Sequence, residues 1–175
     1  MGGLLALDLG TALGWAVGPL DGVPLLGTAP LPPYGQSEGA YFASYADWLA
    51  DMITLHQPDE IAVEQTLAAR GEMAGMHAAE TLLGLRAMTS VVAYRREVRL
   101  SWHAVSTVRK TVCGHGHAKK DQVNAEIIRR GCRPDSHNAA DAAAVWFHRA
   151  EQIAQWSEER RARRLRASPA PKSAS

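Results

Sequence analysis

Residues 3–28 read GLLALDLGTALGWAVGPLDGVPLLGT, and the fold turns on them. Residues 3–9 are almost all apolar, the pattern of a central strand covered on both faces rather than of a half-exposed one. Gly10, Thr11 and Gly14 permit a tight turn, and Leu13 to Val17 read as a second strand. Asp21-Gly22 is a hairpin signal, followed by a third strand near Val23–Thr28. The stretch therefore predicts an antiparallel meander. One residue breaks its first apolar run: Asp8, whose ionised carboxylate is costly there unless it is paired or bound to a cation. The alternative is that Asp8 ends the strand and caps the turn at Gly10–Thr11.

Beyond the meander the chain alternates helix and strand. A helix is expected over 40–56, with Phe42, Tyr45, Trp48, Leu49 and Met52 at helical spacing and Pro58 just past its end. Ile61–Glu64 is a short fourth strand, 66–75 a loop, 76–95 a second helix and Val98–His103 a fifth strand. Two shorter helices, near 105–113 and 120–130, flank the glycine-rich GHGHAKK. Pro134 and Asp135 announce a last helix from Ser136 past Arg149. The order β-β-β-α-β-α-β-α-α-α predicts an α/β fold, a mixed five-stranded sheet with helices on both faces. The expected organisation is one domain over 1–155 and a basic, disordered tail over 156–175.

With 46% apolar and 21% charged residues, the composition is that of a soluble globular domain. Two cysteines, Cys113 and Cys132, without paired spacing fit a reduced compartment. No apolar run spans a bilayer and no signal peptide is evident, so a cytoplasmic protein without membrane partners is expected. The net charge of +1 conceals an asymmetry: residues 1–90 hold 2 Arg against 10 acids, and residues 91–175 hold 17 Lys and Arg against 8 acids. A basic half is the footprint of a phosphate-binding surface, although a solvated face and charged tail give the same count.

Two further acids join Asp8. Glu64 also ends an apolar run, IAVE, and Asp141 lies one turn into the last helix, in HNAADAAAV. Two like charges on neighbouring strand ends are stable when a cation lies between them. The helix dipole is the competing explanation for Asp141. His137 and Asn138, four and three residues earlier, can share its helical face. Together these residues suggest a hydrolytic site for two divalent ions, Mg2+ by preference with Mn2+ able to substitute. In the loop at 113–120, glycines allow close backbone approach to a phosphate, and Lys119 and Lys120 stand at a helix start, where anions are favoured. A Cys-x-His-x-His zinc site is the alternative there, without an evident fourth ligand. The Arg160–Arg166 run is either a DNA-binding extension or a solubilising tail. The Met73/Met76 and Leu82/Leu83/Leu85 region reads as core or subunit interface.

The motifs LALDLGTALGWAV, IAVEQ, TVCGHGHAKKDQV and HNAADAAAV, in that order, give the chain a resemblance to the RuvC-type Holliday-junction resolvases of the ribonuclease H-like superfamily, over roughly residues 3–150. The resemblance implies a ribonuclease H-like sheet and a metal-dependent homodimeric endonuclease that nicks four-way or other branched DNA. It implies that Asp8, Glu64 and Asp141 are the metal-binding, catalytic acids. The family's fourth ligand is an Asp or His; Asn138 holds that position here with His137 beside it, and the expectation is that His137 assists catalysis while the Asn138 amide orients the site. Lys120 matches a lysine near the scissile phosphate, and Arg109 matches a basic position before the glycine loop. Leu67 stands where the family often carries an aromatic residue, with Arg70 following as a DNA contact. The compact chain and basic tail look similar to phage-type members. A recombination or packaging motor partner is left open. Two rivals compete: a non-catalytic junction-binding protein of the same fold, and a phosphotransferase of the actin/hexokinase type suggested by DLGT, which would need a second glycine-rich phosphate motif.

Overall fold

A computed structural model describes residues 3–32, 37–65 and 73–167, with backbone only at 73–77, 165 and 167. The elements are β1 (Gly3–Asp8), β2 (Gly14–Pro19), β3 (Leu25–Thr28), α1 (Glu38–His56), β4 (Pro58–Gln65), α2 (Met73–Arg95), β5 (Arg99–Ala104), α3 (Val105–Cys113), α4 (Lys120–Arg129) and α5 (His137–Ala167). The sheet order is β3-β2-β1-β4-β5. β1 pairs antiparallel with β2 and parallel with β4; β2–β3 is antiparallel and β4–β5 parallel. This is the mixed sheet expected from the sequence.

β1 lies in the centre, which is why Leu4, Leu5, Ala6 and Leu7 are all fully buried. Alternation divides them between two cores. Leu5 and Leu7 meet Tyr41, Tyr45 and Leu49 of α1. Leu4 and Ala6 face α5 with its buried Ala140, Ala143, Ala144 and Trp146. The run of small residues in α5 lets that helix lie close to the sheet. At Gly14 the approach is closer still: a Cβ there would overlap the Asn138 carbonyl, so only glycine admits the start of α5 over the end of β2.

The caps follow simple chemistry. Ser37 Oγ accepts the Ala40 N–H at 3.3 Å to open α1, and Gln57 closes it in the left-handed conformation, φ 46°. β4 then starts at Pro58, three residues before the expected Ile61, since a first strand residue can do without its N–H. Ser136 Oγ accepts the Ala139 N–H at 3.1 Å where α5 begins. α5 also corrects an expectation: it runs unbroken to Ala167, so 156–167 is helix where a disordered tail was expected. Residues 168–175, and the loop carrying Leu67 and Arg70, lie outside the described residues. Among the described residues no helix is long and apolar enough to cross a membrane.

Candidate active site

Parallel pairing sets the C-terminal ends of β1 and β4 side by side. Asp8 follows Leu4 and Ala6 on one face of β1; Glu64 follows Glu60 and Ala62 on the same face of β4. That face is covered by α5, whose first turns carry Asp141. Three elements thus deliver three carboxylates to one place, with exposures of 8% for Asp8, 7% for Glu64 and 4% for Asp141. They line a cleft of about 410 Å3, walled also by the Gly10–Ala12 turn, Val105, Arg109, Lys120 and Asn138.

The electrostatics record the crowding. Burial, then repulsion from Glu64 and Asp141, holds the Asp8 carboxyl well above the usual range. Burial and then Asp141 push Glu64 up to about 7, against a hydrogen bond from Asp8 and the charges of Arg109 and Lys120. Burial raises Asp141 as well, with Lys120 opposing. Burial and mutual repulsion thus both disfavour the charged forms of these carboxylates. Among the described residues no three acid, His or Cys side chains, as oriented, close around one ion. The donor set is nevertheless all hard oxygen, and a divalent cation would relieve the repulsion among the three carboxylates; by that chemistry the residues fit a Mg2+ centre.

The basic residues divide. Lys120 Nζ stands 3.4 Å from Asp141 Oδ2 and donates to Asn138 Oδ1 at 3.4 Å. Arg109 Nη1 donates to the Ala118 carbonyl at 2.8 Å, tying α3 to the glycine loop, while its buried Nε has no partner among the described residues. Lys119 lies outside the cleft lining; its exposed side chain precedes α4, and its N–H donates to Gln122 Oε1 at 2.8 Å. Arg70 lies outside the described residues.

The two candidates for the fourth position also separate. Asn138 lines the cleft, its Nδ2 donating to the Ala12 carbonyl at 2.7 Å, so its Oδ1 is aimed inward. The His137 ring turns away to Asp121 Oδ1, 3.0 Å distant, in an exposed pair between α5 and α4. The shared helical face that the spacing allows to both is used by Asn138.

Sequence reasoning passed over two features. Arg86 and Trp102 stack beside Glu64, signalled only by Arg86 being one of the two basic residues in the first half of the chain. A buried ion pair joins Glu60 to Arg149, and no local pattern announces it.

Comparison with known proteins places this geometry. The family model for crossover junction endodeoxyribonuclease RuvC matches residues 40–148. The RuvC protein of Allorhizobium ampelinum is 34% identical over 101 residues, 57% of each chain. That of Parvibaculum lavamentivorans is 34% identical over 99 residues, 55% of this chain and 54% of its own. These matches span somewhat over half the length of the curated relatives. Among solved structures, the T. thermophilus RuvC in complex with Holliday junction substrate superposes with a TM-score of 0.75 at 22% identity, covering 90% of this chain and 98% of its own. The yeast mitochondrial Holliday junction resolvase gives 0.54 at 12% identity, covering 89% and 81%. At such identities the likeness is one of fold.

Proposed function

The chain belongs to the RuvC family of crossover junction endodeoxyribonucleases, and from that membership together with the three converging carboxylates we propose that it hydrolyses phosphodiesters at four-way DNA junctions, as a homodimer. The observation that carries the reading is the cleft itself: Asp8, Glu64 and Asp141 crowded at its base, with Lys120 and Arg109 on its wall. Buried carboxylates that repel one another are poor structural devices and good cation ligands.

Asp8, Glu64 and Asp141 would hold two Mg2+ ions, or Mn2+ in their place, with the Asn138 amide oxygen as fourth donor. Such ions would supply activation of a water and stabilisation of the charge that develops in the displacement. The chain's own residues do the rest. Asn138, fixed by the Ala12 carbonyl, keeps its Oδ1 aimed at the cleft. Lys120 moves from Asp141 to the phosphate that enters, and Lys119, Arg109 and Arg70 contact the DNA backbone. His137 reaches the reaction only through Asp121, by steadying the first turn of α4 beneath Lys120.

The dimer reading is supported by α2. Leu83, Ala87, Val91 and Tyr94 form an exposed stripe at helical spacing, Leu83 62% and Tyr94 85% exposed. Such a stripe is self-complementary about a two-fold axis, and two sites related by that axis suit a junction with two equivalent strands.

The test is cleavage of a synthetic four-way junction beside a linear duplex of matched sequence, with Mg2+ and with chelator. Paired nicks on the junction alone, dependent on the metal, are expected. Binding of the junction without cleavage under any divalent ion would leave the non-catalytic reading in possession.

A further inference from the structure

α2 has a third surface, between its core face and its exposed stripe. Leu82 and Arg86, four residues apart, face the sheet beside the cleft. The Arg86 guanidinium carbon lies 4.3 Å from the centroid of the Trp102 ring on β5. With Leu9 and Leu82 these two line a small cavity of about 20 Å3, and its remaining wall is Glu64. Glu64 thus belongs to two spaces: the cleft with Lys120 on one side, and this notch with Arg86 on the other.

Among the described residues Arg86 forms no hydrogen bond or ion pair, and the Trp102 ring is the one partner it has there. The cations opposing the acids' charge most strongly are Lys120 and Arg109, on the cleft side. A guanidinium stacked through its face keeps its N–H edge open, and that planar edge matches the paired oxygens of a phosphate. Stacking also fixes a side chain that would otherwise lose much rotamer freedom on binding. Trp102, itself half-buried among Leu9, Leu82 and Leu100, is a rigid base for it.

Building on the nuclease reading, we propose that Arg86, held on Trp102, binds a backbone phosphate flanking the scissile linkage on the Glu64 side. The cut strand is then gripped from both sides of the carboxylates, by Lys120 on one and Arg86 on the other. The alternative is that Arg86 merely covers the tryptophan.

The experiment measures binding of the full chain to a synthetic four-way junction without divalent ions. Wild type is compared with Arg86→Ala and Arg86→Lys, each across a salt series, and on junctions with a neutral methylphosphonate at each phosphate next to the cut. Arg86→Ala is expected to weaken binding about tenfold, the scale of one charge-assisted hydrogen bond, and to reduce the slope of log affinity against log salt by about one. At one flanking position the methylphosphonate should weaken wild type by a similar factor and have no further effect on Arg86→Ala. Arg86→Lys keeps the charge and loses the fork; it should retain the slope, lose affinity and raise KM with kcat little changed. If Arg86→Ala fails to fold, Arg86→Lys and the methylphosphonate series decide. A methylphosphonate penalty undiminished in both variants at every position, or an unchanged affinity, overturns the proposal while a wild type that cleaves leaves the nuclease reading standing. A wild type that binds no branched DNA overturns both.

Discussion

On the proposed reading the chemistry rests on Asp8, which ends an otherwise apolar strand and whose carboxyl is raised by burial and then by repulsion from Glu64 and Asp141. Asp8→Asn preserves shape and removes one charge. It is expected to lower junction cleavage by orders of magnitude while binding, carried by lysines and arginines elsewhere, stays within a few-fold. Gel-shift and nicking assays on one preparation check both halves, and near wild-type cleavage would remove the central claim. A second prediction separates His137 from Asn138. Spacings of four and three residues both reach the Asp141 face, so sequence could not rank them. What ranks them is the Ala12 carbonyl, 126 residues away in the chain, which turns Asn138 inward, and Asp121, which draws His137 outward. Asn138→Ala should therefore reduce kcat strongly, and His137→Ala should have the smaller effect. The reverse order, with an altered acidic limb in His137→Ala, would return His137 to the site.

At the scale of elements, the carriers of the acids are locked by a buried polar chain. Glu60, four residues before Glu64 on β4, receives Arg149 of α5 through two bonds, 2.6 Å from Nε and 3.0 Å from Nη2. Ser101 of β5 donates to the same carboxylate at 2.6 Å and so accepts from His103 Nε2 at 2.9 Å. Thr111 of α3 donates to the Thr107 carbonyl and so accepts from His148 Nδ1 at 2.8 Å, leaving His148 Nε2 to accept from Gln152 at 3.1 Å. Both imidazoles are thereby assigned as neutral tautomers, their rings 5.1 Å apart. Burial, then His148 and Arg149, lowers His103 to about 4; burial lowers His148 too. Burial alone would raise Glu60, but Arg149 and Ser101 hold it below its ordinary value. The signs agree. All three groups have folded values below their unfolded ones, so each binds protons more readily when the chain opens, and each costs stability as pH falls. Through these three groups the melting temperature should decline from about pH 6.5 as the histidines are drawn towards protonation, and further below pH 4.5 as Glu60 loses its charge, while the raised values of Asp8, Glu64 and Asp141 act in the opposite sense. Glu60→Gln strands a buried guanidinium; it should cost about 3–5 kcal/mol, on the order of 10 °C, at neutral pH and flatten the lowest part of that profile. Calorimetry of wild type beside Glu60→Gln from about pH 3 to 8 checks this, and two profiles that stay parallel down to the acid end would refute it. The pair spans 89 residues, which is why it was illegible. Strand positions were legible because burial on both faces writes a continuous apolar run, and acids that end such runs stand out. The length of β4 and the ion pair depend on distant partners that no window of sequence contains.

At the scale of the molecule, the acidic and basic halves are brought together rather than kept apart. The acidic first half supplies Asp8 and Glu64; the basic second half supplies Arg109 and Lys120 around them, along with Asp141. The glycine loop's expected zinc alternative finds no ligand cluster among the described residues. The outward stripe of α2 predicts assembly: Leu83→Glu with Val91→Glu should yield a folded monomer by sedimentation that still binds DNA and loses coordinated nicking of opposite strands. A double variant that remains dimeric would place the two-fold interface elsewhere.

The tight seat of α5 on Gly14 has a consequence in time. Asp8 and Gly14 leave the ribosome early, and the helix that brings Asn138 and Asp141 against them is synthesised more than a hundred residues later. Until that helix docks, the first two acids have no third partner and the cleft has no far wall. Under the reading proposed here, a nascent or prematurely released chain is a harmless one: it cannot nick the genome from which it is being expressed, because the cutting edge is assembled only by the closing of the fold.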